Sequence, residues 1–154
     1  MKHFMSIVDV QVVNNSPFPL PEYKTEHASG MDVQADLTAL GNKVQLYPGE
    51  IVAIPTGLFV SIPPGYEIQV RPRSGLSLTT HLRVANAPGT IDADYRGEIK
   101  IIMENVGNAW EEISHGDRIA QLVLCPVVRV DWDQVAELSY TKRGAGGFGS
   151  TGVN

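Results

Sequence analysis

A chain of 154 residues, 43% apolar and 19% charged, has enough to bury for one domain with a real core, and no second composition regime appears along it. The net charge of -5 and pI near 5.3 argue against a nucleic-acid surface, though a local cluster of Arg and backbone N–H groups can still bind a polyanionic ligand; the one cysteine, Cys125, excludes an internal disulfide and, with His3, His27, His81 and His115 at no ligand spacing, a zinc set. The longest apolar run, Ile119 to Val128, is interrupted by Gln121 and Pro126 and falls short of the roughly 20 residues of a membrane helix; with no signal-peptide core at the start, a cytoplasmic protein is expected.

Prolines and glycines punctuate short apolar segments throughout, the pattern of strands and turns. Ile7 to Val13 alternates as an early strand, and Pro17, Pro19 and Pro21 then force an extended loop. His27 to Asp32 is a small-residue turn before Val33 and Ala35, in which Asp32 either closes the turn or holds water near a metal. Lys43 to Tyr47 alternates, Pro48-Gly49 turns, and Glu50–Ile54 and Leu58–Ile62 read as separate strands divided by Pro55-Thr56-Gly57. Pro63-Pro64-Gly65 turns into Tyr66 to Val70. A short helix is expected over Ser74 to Leu78, with Ser74 as its cap and Leu76 and Leu78 packed below. Arg71, Arg73 and Ser74 crowd donors at this strand-to-helix bend. They form either a phosphate site, since guanidinium forks and helix starts suit anions, or a surface ion cluster.

Asn86 to Lys100 reads as a strand, a hairpin bend and a returning strand, with Leu82, Val84 and Ala85 leading in and Ile99, Ile101, Ile102 and Met103 leading out. Asp92, Asp94 and Tyr95 occupy the bend, an arrangement that suits a base and a sugar but is also that of an ordinary acidic turn. Gly116-Asp117 turns, with Asp117 and Arg118 expected to pair, and Arg118 to Val130 is the most apolar strand region. Gln121 is the odd polar residue within it and needs a hydrogen-bond partner in the protein or a ligand. Cys125 reads as a small buried hydrophobe, Trp110 and Trp132 as packing residues, and Asp131 to Leu138 as one more short strand. From Arg143 onward the chain is glycine-rich, with Phe148 its one large apolar residue. Gly144 and Gly149 carry a phosphate-loop spacing, but Ser150 stands where that loop needs Lys and no helix can follow, so a P-loop is excluded. A flexible ligand-closing arm and a plain disordered end both remain open on composition.

In order along the chain, Ala28-Ser-Gly-Met-Asp32, Arg71-Pro-Arg-Ser-Gly-Leu-Ser-Leu78, Asn86-Ala-Pro-Gly-Thr-Ile-Asp-Ala-Asp-Tyr-Arg-Gly97, Gly116-Asp-Arg-Ile-Ala-Gln121 and Arg143-Gly-Ala-Gly-Gly-Phe-Gly-Ser-Thr-Gly152 resemble the trimeric deoxyuridine triphosphatase (dUTPase) family, from about residue 17 to the end. The stretch Thr79-Thr80-His81-Leu82 and the residues flanking Asp32 depart from the family pattern, and both lie off the positions that carry chemistry.

The resemblance implies an all-β distorted jelly roll, with a domain over residues 1–142 and a Gly-rich arm over 143–154 that closes over a neighbouring subunit's site. It implies a homotrimer that hydrolyses dUTP to dUMP and pyrophosphate, keeping uracil out of DNA and supplying dUMP for thymidylate synthesis. Asp92 would be the general base for water attacking the α-phosphorus, and Tyr95 would lie against the deoxyribose, where a 2′-hydroxyl would clash. Asn86, the backbone of Gly89, Thr90 and Ile91, and Lys100 would bond the uracil edge. Arg73, Ser74, Gly75 and Gln121 would hold the phosphates. Arg143, Gly149, Ser150 and Thr151 would close over them while Phe148 stacks on uracil, and Asp32 would meet Mg²⁺ through water. Two alternatives stand beside it: a dCTP deaminase, which shares the fold, and a nucleotide-sensing or partner-binding trimer without turnover.

Overall fold

Alternation in β8 (Glu98–Asn105) sends Ile99, Ile101, Met103 and Asn105 inward and leaves Glu98, Lys100, Ile102 and Glu104 on the other face. The same rule orients β4 (Ile51–Ser61), which buries Ile54, Thr56, Leu58 and Val60. The computed structural model describes residues 7–148. Its elements in chain order are β1 (Gln11–Asn14), β2 (Met31–Gln34), β3 (Lys43–Leu46), β4, β5 (Tyr66–Arg71), α1 (Ser74–Thr79), β6 (Leu82–Val84), β7 (Gly89–Ile91), β8, β9 (Glu111–Ser114) and β10 (Arg118–Pro126). One four-stranded sheet runs β1-β4-β8-β6 and a second β2-β10-β5-β7, with β3 and β9 as a separate ribbon; every pairing is antiparallel. The inner faces meet over a core of Val33, Leu46, Ile54, Ile68, Val70, Ile101, Met103, Ile119 and Leu122, a distorted jelly roll.

Buried polar groups in this core are satisfied. Asn105 Nδ2 donates to Leu46 O and Ala109 O while its Oδ1 accepts the Gly107 N–H, and Thr56 Oγ1 donates to Ile99 O. Asn105 ties the loop after β8 and the end of β3 to the sheet, and Thr56 ties β4 to β8 at its irregular stretch.

Several expectations need correction. The two strands expected on either side of Pro55-Thr56-Gly57 are one strand, β4; its pairing with β8 shifts register between Pro55 and Phe59, so the irregularity is absorbed as a bulge. The early strand is shorter than its alternation, Gln11–Asn14, because only that part lies opposite β4. Arg73, not Ser74, is the cap residue of α1, and no side chain caps it; Leu76 packs on the core but Leu78 is 87% exposed. Asn86–Lys100 is not itself a paired hairpin: the segments flanking it pair, Leu82–Val84 with Met103–Asn105, while its own strand β7 crosses to pair with β5 of the opposite sheet. Asp131 to Leu138 pairs with no strand among the described residues; β10 stops at Pro126, and after the Val127 N–H to Gly65 O bond the chain forms no regular element. Trp132 is 88% exposed and Trp110 55%, so neither packs in the core of this chain.

Candidate active site

Register across the second sheet explains which functional side chains meet. Asp32 of β2 stands opposite Gln121 of β10, and Gln121 opposite Arg71 of β5. The residues after Arg71 then turn into α1, so Asp32, Arg73, Ser74 and Gln121 gather at one end of the sheet. Here Arg73 Nε donates to Asp32 Oδ1 at 2.8 Å, Arg118 Nη1 donates to Asp32 Oδ2 at 3.1 Å, and Arg73 Nη1 donates to Arg118 O. Gln121 Nε2 donates to Pro72 O at 2.9 Å, so this polar residue of β10 has a partner within the protein. Ser74 and Gly75 are exposed, and nothing crowds Gly75. The group therefore presents guanidinium and helix-start N–H donors to solvent around one carboxylate.

Arg118 was missed as a member of this group. Instead of pairing with Asp117, it reaches Asp32 across the β10–β2 pairing, while Asp117 Oδ2 accepts the Ser114 N–H within its own turn. Adjacency in sequence does not make Asp117 the partner of Arg118, because cross-strand register sets which side chains meet. Arg71, counted among the donors, turns away: its Nε and Nη2 donate to Gln69 Oε1, and Nη2 lies 3.5 Å from Cys125 Sγ, so Cys125 is half-buried against a cation and not sealed in the core.

The second group is the bend. Gly89 lies opposite Val70, and a Cβ there would come within 3.2 Å of both Val70 Cβ and Asn86 Nδ2, so the Asn86 amide folds directly over the β7 backbone. Thr90 faces out and Ile91 in. Asp92 follows in the open, and among the described residues its carboxylate accepts no hydrogen bond. Its carbonyl accepts the Tyr95 N–H, and Tyr95 Oη donates to Glu98 O at 3.0 Å. Arg96 Nη1 donates to both Ala93 O and Tyr95 O, drawing the turn's carbonyls to one guanidinium. Lys100 is exposed on β8 with Nζ 3.7 Å from Glu98 Oε2. The bend thus carries a free carboxylate, an amide and a half-exposed ring on a braced backbone.

Within the chain, Asp92 and Arg73 stand at different levels of the second sheet, while Ala87 and Pro88 of the bend segment line one cavity with Pro72 and Gln121. Antiparallel pairing puts Ile91 opposite Ile68, so Asp92 leaves β5 at the end away from Arg71 and Arg73. Three residues of β5 separate those levels, about 10 Å of strand, before the chain even reaches Arg73. Arg143 Nε donates to Gly146 O within its own segment and Phe148 is fully exposed, touching neither group. Gly149, Ser150 and Thr151 lie outside the described residues.

A family model described as dUTPase matches residues 16–152. A deoxyuridine 5'-triphosphate nucleotidohydrolase of Desulfotalea psychrophila is 60% identical over 134 residues, 87% of this chain and 87% of its own. One of Ehrlichia canis is 50% identical over 149 residues, 96% and 95% of the two chains. Among solved structures, the dUTPase of Staphylococcus bacteriophage 80alpha with dUPNHPP superposes with TM-score 0.82 at 32% identity, covering 94% of this chain and 99% of that one. A variant dUTPase from phage phi11 of S. aureus, described as revealing the coordination of a structural Mg(II) ion, gives TM-score 0.74 at 28% identity, covering 86% and 99%. Sequence and fold coincide over nearly the whole length: the chain belongs to the dUTPase family.

Proposed function

We propose that this protein hydrolyses dUTP to dUMP and pyrophosphate in pockets shared between the subunits of a homotrimer. The observation that supports the shared pocket is the register that sets the Asp92–Tyr95 bend and the Arg73–Ser74 donors at opposite ends of β5, which fits a pocket whose hairpin, phosphate site and arm come from three chains. The exposed apolar run beyond β10, with Val128 92%, Trp132 88% and Leu138 89% accessible, supports the same reading, because such side chains gain by burial against another copy.

In that pocket, uracil lies along β7 with its polar edge read by Asn86 and the backbone of Gly89, Thr90 and Ile91, and by the backbone of Lys100. A braced backbone rejects thymine by leaving no room for a methyl group, and a fixed amide separates uracil from cytosine by donor and acceptor pattern. Tyr95 covers the deoxyribose. Asp92, whose carboxylate accepts no hydrogen bond among the described residues, takes a proton from the water that attacks the α-phosphorus. Arg73, Ser74, Gly75 and Gln121 hold the phosphates, Arg143, Gly149, Ser150 and Thr151 close over them as an arm over residues 143–154, and Phe148 stacks on the base.

The residues fit a magnesium ion carried by the substrate. Among the described residues no group of three or more His, Cys, Asp or Glu side chains could hold a metal by itself. Asp32 has both oxygens engaged by guanidinium N–H groups, which leaves lone pairs for metal-bound water but disfavours direct ligation beside two cations. When bound to the triphosphate, Mg²⁺ would neutralise its charge and stabilise the departing pyrophosphate.

Supplying dUTP and dCTP with Mg²⁺ tests the reaction: pyrophosphate from dUTP is expected, and ammonia from dCTP would indicate the deaminase instead. Co-expressing Asp92→Asn with a chain stopped before Arg143 tests the shared pocket. Equal random mixing makes about three quarters of trimers mixed and about a quarter of all pockets complete. Purified mixed trimers, with mixing confirmed by mass, are expected to be active; activity no higher than in either parent would sink the shared site.

A further inference from the structure

Gly97 follows the Tyr95 bend, and its backbone lies outside the left-handed region, so conformation does not demand glycine there. Space does. A Cβ on Gly97 would fall on Tyr95 Oη, 2.5 Å from Cζ and 2.9 Å from Cε2. The tyrosine ring therefore lies back across the bare Cα of Gly97, and in that position its hydroxyl donates to Glu98 O at 3.0 Å. Glu98 is itself fixed: it opens β8 opposite Phe59, and its Oε1 accepts the Gly57 N–H at 2.9 Å. The far end of the ring is thus tied to the first sheet, while its near end is tied to the bend through the Tyr95 N–H on Asp92 O.

From this geometry we infer that Gly97 is the positioning residue that sets the sugar gate, by providing the recess in which the Tyr95 ring rests. The inference rests on the reading of Tyr95 as the residue against the deoxyribose. A ring is rigid, so a methyl group in the recess cannot be accommodated by bending the side chain's tip. The ring must leave Glu98 O and move by about an ångström toward the open side of the bend, where the sugar is held; displacements of that size at a binding surface cost up to about a hundredfold in rate. Tyr95 then presses on the deoxyribose it should admit, so dUTP loses more than UTP, which the ring in its recess already rejects.

The test is kcat/KM for dUTP and for UTP in the wild type, Gly97→Ala, Tyr95→Ala and the double variant. Gly97→Ala is expected to lower the dUTP/UTP ratio by about tenfold or more, and the double variant to show the ratio of Tyr95→Ala alone, because without the ring the recess has no tenant. Equal loss on both substrates, or the same added loss in the Tyr95→Ala background, would overturn the assignment. Should Gly97→Ala fail to fold, recovery of folding in the double variant supports the ring contact, and failure of both overturns it. An unchanged ratio in Tyr95→Ala would remove the sugar reading itself and is distinguishable, since it concerns the variant in which Gly97 is intact.

Discussion

The two-sheet body and the segment beyond Pro126 obey opposite rules. In the body, Ile54, Ile101 and Met103 are completely buried and the inner polar groups are paired. Beyond it, Val128, Trp132, Leu138 and Tyr140 are each at least 89% exposed save Trp132 at 88%, and the backbone pairs with no strand among the described residues. Apolar composition is therefore not sufficient to place a residue in the core; a facing surface is needed. The body finds that surface within the chain, and on the proposed reading the later segment finds it on a neighbour.

Five substitutions sharpen or break this contrast. The largest effect is expected in the chemistry of the body. Asp92→Asn should retain the melting temperature and dUTP binding while kcat falls roughly 10² to 10⁴-fold; retention of more than half of kcat means that Asp92 is not the base. Ile101→Ala should follow, costing about 2 to 5 kcal/mol in denaturant unfolding, since it empties a fully buried position between the sheets.

Trp132→Ala is the counterpart outside the body. It should shift the protein concentration at which assembly is half complete, read by analytical ultracentrifugation, and affect stability only through that shift. A loss of stability that does not vary with concentration would show that Trp132 packs on its own chain. Phe148→Ala should weaken dUTP binding by about 1 to 3 kcal/mol, the worth of a base stacked on an aromatic ring, with the melting temperature unchanged; the reverse result would make Phe148 a packing residue.

The smallest effect concerns pH. The His81 backbone N–H and ring nitrogen on Glu111 hold its carboxyl below the ordinary carboxylate range. A depressed folded-state value contributes stability above the unfolded value, and that contribution disappears as pH falls through the folded one. Glu111→Gln should therefore cost about 1 kcal/mol or less near neutrality, with the gap to wild type closing in acid; a gap that is constant from neutral to acid pH excludes the ionised hydrogen bond as its source.

Strand positions along Lys43–Leu46, Tyr66–Arg71, Glu98–Asn105 and Arg118–Pro126 were legible from alternation and turn residues, because a strand's two faces are written locally in its period of two. The candidate site segments were legible too, since their residue types and order are properties of the chain itself. Cross-strand geometry was not. Whether Pro55-Thr56-Gly57 divides two strands or bulges one depends on what β8 offers opposite it. Arg118 reaching Asp32, Arg71 turning to Gln69 and Cys125, and the ring of Tyr95 lying on Gly97 are contacts between side chains whose partners are chosen by register and by the space left over. The separation of Asp92 from Arg73 has the same origin: both belong to one sheet, but antiparallel pairing sends them to opposite ends of β5. The sequence by itself determined which chemical groups the protein carries and in which local conformations, because those depend on neighbours along the chain; the tertiary structure decided which groups meet, because distance in a folded chain is set by pairing and packing.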